Sequence, residues 1–289
     1  MRGSAPGKLI LLGEHSVVYG HRAIAAAVGL CTRVELRRCE GPTRLGASAI
    51  QDPRLDAALR CALPAQGLEV DIHTELPVGR GMGSSAALTI ALLRAADQLA
   101  GRSSSFEELH ARGYELERIF HGNPSGLDHA VSALGGAVVY RKGEAPQPVD
   151  MPSTPVVVLD TGTAGDTAQL VAGVASRRPA VDPALERLGQ LVEQALPLLA
   201  RPSDLGPLLN EAQARLQELG VSTPRIDLLV ELARSHGALG AKLSGAGGGG
   251  VVLALTPDGG EGLLRAARAR GIQAFSTTLP AEGSRWPRR

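Results

Sequence analysis

Residues 77–88 read PVGRGMGSSAAL: glycines at 79, 81 and 83 alternate with larger residues and run straight into two serines and an alanine-rich stretch. Alternate glycines make poor helix and poor core, but they let a backbone turn sharply and approach another group closely. Three readings fit. One is a tight strand-to-helix turn with no ligand. Another is a dinucleotide fingerprint, since GMGSSA matches GxGxxA. The third is a cradle in which backbone N–H groups and a helix N-terminus converge on a phosphate. The dinucleotide fingerprint belongs after a buried parallel strand. Here residues 68–76, LEVDIHTEL, alternate Val70, Ile72 and Leu76 with Asp71, His73 and Glu75, the period of a half-buried antiparallel strand. No lysine follows the glycines, which excludes the GxxxxGK[ST] loop.

Outward from that stretch, ALTIALLRAADQLA carries Leu88, Leu92, Ala95 and Leu99 at helical spacing and stops at Gly101. Ser105 and Glu108 form a capping box for the next helix, whose apolar positions are Phe106, Leu109, Leu116, Ile119 and Phe120. At HGNPSG, Asn123 is expected to cap a short helix with Pro124 in its first position. Upstream, residues 8–12 and 31–38 read as strands, and GEHSVVYGHRAIAAAVG between them is expected to be partly helical toward its end. Residues 137–141 return to strand. The Pro-rich, polar segment 142–155 predicts a join between domains spanning 1–153 and 154–289. Beyond it lie a strand at VVVLD, helices near 183–200, 204–219 and 224–236, and a strand at 251–255. A helix near 260–270 and a last strand, IQAFSTTL, follow; the tail after Pro280 is expected to be loosely held. Strands and helices mix without a regular βαβ repeat, so the class is α+β.

Composition narrows the function. The 289 residues include 30 Lys+Arg against 29 Asp+Glu, and seven aromatics in all. That leaves no positive excess for a nucleic-acid backbone or an anionic membrane, and few platforms for stacking bases. A small-molecule partner is expected, with no nucleic acid and no membrane, in a monomer or homodimer. Three cysteines without a CxxC pair point to free thiols. No stretch has the roughly 18–20 apolar residues of a membrane span, and a cytoplasmic location is expected. No paired Cys or His stand at metal-binding spacing, so no zinc site is expected; His73 and His236 read as structural or exposed.

Other segments decide among the readings of the glycines. A second glycine cluster, KLSGAGGGG, occupies 242–250; APGKLILLGEHSVVYG opens the chain, and ELERIFHGNPSGLD lies between. Together, in this order and from residue 5 to about 255, they resemble the GHMP kinases, a family of ATP-dependent small-molecule kinases. The opening segment and ERIFHGNPSGLDHAVSALGG are most similar to members that act on mevalonate. The resemblance implies an N-terminal domain like ribosomal protein S5 and a ferredoxin-like C-terminal domain. It implies Asp128 as catalytic base and Lys8 as its electrostatic partner. It implies ATP held by Gly79, Gly81, Gly83, Ser84, Ser85 and Gly247, and Mg²⁺ held by Ser85 and Glu117. Substrate would be met by Glu14, His15, Thr167 and Gly245. Taken by themselves, Glu117 reads as a solvated helix-face carboxylate, Lys8 as an exposed strand-end lysine, and Asp128 as a helix-start acid. Some relatives carry a basic residue in the loop that here reads Thr163, Ala164, Gly165, Asp166. Its absence leaves recognition of a carboxylate substrate unassigned, Arg141 and Lys142 being too generic to nominate. Other alcohols (phosphomevalonate, a sugar, homoserine) and a non-catalytic protein on the same fold are the alternatives.

Overall fold

The computed structural model describes residues 1–46, 52–121 and 126–281; Asn123, Pro124 and the tail 282–289 lie outside them. In chain order the strands are β1 (Arg2–Leu12), β2 (Arg22–Pro42), β3 (Arg44–Leu45), β4 (Gln66–Thr74), β5 (Ala137–Arg141), β6 (Gln147–Val149), β7 (Thr154–Asp160), β8 (Gly240–Ser244), β9 (Val251–Leu255) and β10 (Ala274–Leu279). The helices are α1 (Pro53–Ala62), α2 (Ser84–Leu99), α3 (Phe106–His121), α4 (Leu127–Leu134), α5 (Thr167–Ser176), α6 (Asp182–Ala195), α7 (Gly206–Glu218), α8 (Pro224–Ser235) and α9 (Glu261–Ala269).

The first sheet has the order β3-β4-β2-β5-β6, with β1 also paired to β2. Strand β2 is its spine: residues 22–26 pair with β5 and residues 32–38 with β4, while β1 runs antiparallel along both stretches. The expected helix near 23–29 is therefore a strand. Alanine favours helix by only about 0.7 kcal/mol or less per residue over ordinary residues, an amount tertiary packing readily overrides. Ala23, Ala25 and Ala27 cluster with Leu127 and Val131 of α4, and Ile24, Ala26 and Val28 join the larger core that includes the apolar side of α6. Both faces are covered, so small side chains let helices close on the sheet from either side. Only Ser16–Tyr19 of that segment is helical, as a single 3₁₀ turn.

Helix α2 buries nearly all of its circumference, including Ala86, Ala87, Ile90, Ala91, Leu93 and Ala96 beside the expected stripe. The capping box of α3 is present: Ser105 N donates to Glu108 Oε2 at 2.7 Å and Glu108 N to Ser105 Oγ at 3.2 Å. Helix α4 is described from Leu127, with Gly126 at φ +96° before it.

The second sheet is antiparallel throughout, in the order β10-β7-β9-β8. Helices α5 to α8 connect β7 to β8, and α9 connects β9 to β10. Numbering its strands one to four along the chain gives the order 4-1-3-2, with β7 to β9 almost wholly buried. Helices α1 and α5 are additions to the sequence reading. Asp52 accepts from Arg54 N to cap α1, and Asp166 accepts from Gln169 N to cap α5. A single apolar core runs from Leu9, Leu11 and Ile24 of the first sheet to Val156–Leu159 and the helices beyond. The end of β1, the 79–83 loop and the 245–250 loop meet where the two sheets adjoin.

Candidate active site

Lys8 sits on β1 beside a register shift and is only 2% exposed. Its backbone N–H donates to Met82 O at 2.9 Å, and its Nζ donates to Gly81 O at 3.0 Å. The same ammonium lies 3.2 Å from Asp128 Oδ1 in the first turn of α4. A buried lysine needs a counter-charge, and a carboxylate at a helix start is stabilised by the helix dipole. Asp128 itself is 36% exposed, open to a small molecule. The pair joins a shielded cation to a reachable carboxylate.

The 79–83 loop is shaped by contacts that only glycine allows. Gly81 and Gly83 adopt φ +75° and +70°. A Cβ at 81 would lie 3.0 Å from Ser244 O, and one at 83 would lie 3.0 Å from Lys8 Cγ. The loop thus packs on Lys8 on one side and on the second glycine cluster on the other. Gly79 has φ +73°, and a Cβ there would lie 3.6 Å from Ala164. Ser84 and Ser85 open α2, whose first turn presents backbone N–H groups at its positive end. Ser85 Oγ donates to Glu117 Oε1 at 2.8 Å. Glu117 is buried, not the solvated side chain its helix suggests, and burial pushes its carboxyl up to about 7. The Ser85 hydroxyl and the charge of Lys8 oppose that shift, and the charge of Asp128 adds to it.

Glu14 and His15 follow β1 directly. The Glu14 carboxylate is 1% exposed and pairs with Lys242 of β8, which is wholly buried and also donates to Leu243 O at 2.6 Å. Burial drives both toward their neutral forms, raising Glu14 and lowering Lys242, while their mutual attraction opposes it. The signal was in the sequence: a lone lysine in the small, apolar strand GAKLS requires a partner charge. His15 takes φ +60°, rare for a residue with a Cβ, and its Nε2 is bonded to Ala246 O at 2.8 Å. Burial lowers its pKa. Ser244 Oγ accepts from Ile10 N at 2.8 Å, tying β8 to β1. A Cβ at Gly245 would lie 3.5 Å from Gly81 Cα, and one at Gly247 would run into Val221 O. Thr167 is exposed at the start of α5. Arg141 pairs with Glu144 on the surface after β5.

Family comparison agrees with the geometry. The family described as GHMP kinases N terminal domain matches residues 49–136, and GHMP kinases C terminal matches 183–273. The chain belongs to the GHMP kinases. A mevalonate kinase of Pyrococcus horikoshii is 36% identical to this GHMP kinase over 98% of this chain and 96% of that protein. The crystal structure of Methanococcus jannaschii mevalonate kinase superposes with a TM-score of 0.85 at 25% identity, covering 96% of this chain and 98% of the other. That of L. major mevalonate kinase in complex with R-mevalonate gives 0.84 at 26%, covering 98% and 96%. The two-sheet, two-domain GHMP kinase fold carries Lys8, Asp128 and both glycine clusters to one place. Among the described residues, no helix is long and apolar enough to cross a membrane.

Proposed function

We propose that this GHMP kinase transfers the γ-phosphoryl group of ATP to the primary 5-hydroxyl of mevalonate. The observation that carries the reading is the Lys8–Asp128 pair at 3.2 Å, with Lys8 buried beneath the carbonyl of Gly81. Phosphoryl transfer asks a protein mainly for positioning and charge compensation. Gly79, Gly81, Gly83 and Ser84 hold the triphosphate through backbone amides and the positive end of α2, with Gly247 behind them. Asp128 accepts the proton of the attacking hydroxyl. Lys8 sets a positive charge beside Asp128 and balances the charge growing on the alcohol oxygen. His15, Thr167 and Gly245 line the substrate side, and Glu14 acts from behind by holding the turn that carries His15.

Ser85 and Glu117 fit Mg²⁺: they bring hard oxygens together 2.8 Å apart at the phosphate-binding end of α2. When bound, the ion neutralises charge on the phosphate oxygens.

The test is ADP release by the purified protein with Mg·ATP and, separately, mevalonate, phosphomevalonate, homoserine and galactose. Release with mevalonate alone is expected. Release with a different alcohol only would move the substrate while keeping the reaction.

A further inference from the structure

The substrate-facing loop Thr163–Asp166 has no basic residue, and its one charged side chain, Asp166, is spent capping α5. Lys8 and Lys242 are likewise committed, to Asp128 and to Glu14. Yet a guanidinium reaches this region from the other domain. Arg80, on the 79–83 loop, places Nε 3.2 Å from Asp160 Oδ2 and donates from Nη2 to Gly162 O at 3.1 Å. Asp160 is itself nearly buried and held by accepting from Gly162 N at 2.7 Å. Arg80 is 23% exposed. A guanidinium has five N–H donors; those on Nη1 have no protein partner among the described residues. The group is thus anchored along one edge with donors left over.

We propose that Arg80 binds the substrate carboxylate and sets the enzyme's preference for an acidic alcohol. This rests on the reading of mevalonate as substrate. The carboxylate of mevalonate lies at the opposite end of a five-carbon chain from the reacting hydroxyl, so its partner must lie beyond the Lys8–Asp128 pair. Arg80 is adjacent in sequence to Gly81, whose carbonyl binds Lys8. Its side chain turns from α2, where phosphates belong, toward the 160–163 segment. Arg225 also touches that segment, donating to Thr161 O at 3.4 Å, but it comes from α8 and not from the loop over Lys8. A planar guanidinium held by Asp160 matches a carboxylate in geometry as well as charge.

The experiment compares wild type, Arg80→Gln and Arg80→Lys on mevalonate and on 3-methylpentane-1,3,5-triol, which keeps the alcohol and lacks the carboxylate. The ratio of kcat/KM for mevalonate to that for the triol should fall about 10- to 100-fold in Arg80→Gln, as for a lost charge-assisted hydrogen bond. It should fall less in Arg80→Lys, and the change should sit in the KM for mevalonate rather than for ATP. A rise in the KM for ATP instead would assign Arg80 to the phosphates and overturn the proposal. An equal loss on both alcohols would reduce Arg80 to a tie between domains, and also overturn it. Wild type inactive on mevalonate but active on another alcohol would instead refute the substrate reading.

Discussion

Asp128 and its neighbour in sequence, His129, have opposite surroundings, and each makes a prediction. Asp128 is half open and paired with Lys8. Asp128→Asn keeps the shape and removes the carboxylate proposed as base, so kcat should fall at least about 100-fold. Calorimetric titration should find ATP binding little changed, and near wild-type turnover would remove Asp128 as the base. His129 is wholly buried, and neither ring nitrogen has a hydrogen-bond partner among the described residues. His110 and Tyr114 of α3 pack against its ring at 4.6 and 5.6 Å. Burial foremost, then the charge of His110, lowers its pKa from 6.5 to about 3, and burial lowers His110 as well. Between those values the unfolded chain binds a proton that the native chain refuses. Stability is therefore full above about pH 6.5 and falls as the pH drops through that window. At pH 5 the loss through His129 is about 2 kcal/mol. Urea unfolding at pH 7 and pH 5 should show that drop in wild type and a smaller one in His129→Leu; equal drops would show that His129 is not the group responsible.

Strand β2 shows where local preference loses to packing. RAIAAAVG is a helix former by composition, yet it lies between β1 and β5 in the centre of a sheet, covered on both faces. Ala26→Leu, harmless in a helix, should here overpack the space under α6 and destabilise by about 1–3 kcal/mol, read as a shifted urea midpoint with an unchanged slope. A change within experimental error would mean that the helix does not press on the strand. Other elements were legible because their signals are local. The period of two in LEVDIHTEL, the Ser105–Glu108 box, the Thr223–Pro224 start of α8 and the run VVLAL all sit where the sequence puts them. Helix α1 was missed although Asp52 and Pro53 form a start signal, because its apolar stripe of Leu55, Ala58 and Leu59 is short.

At the scale of the whole molecule, the two sheets act as one body because the apolar core runs through both and a buried ion pair crosses between them. Unfolding should be a single transition. Lys242→Met strands the Glu14 carboxylate without its partner and should cost about 3–5 kcal/mol, whereas Lys242→Met with Glu14→Leu should recover most of that loss. Additive losses in the double variant, measured by urea denaturation, would show that the two charges are not coupled. Class, family and the segments expected to form the site are readable along the chain, because glycine spacing, strand period and helix caps depend on neighbours in the chain. Lys8 and Asp128 were legible through family resemblance, their residue types alone being compatible with an exposed lysine and a helix-start acid. Tertiary structure alone decided that residues 22–29 are strand, that Glu14 pairs with Lys242, and that Arg80 reaches Asp160. The last two outcomes join residues 228 and 80 positions apart, and burial and charge pairing across such separations follow from how the two sheets pack, which no local pattern encodes.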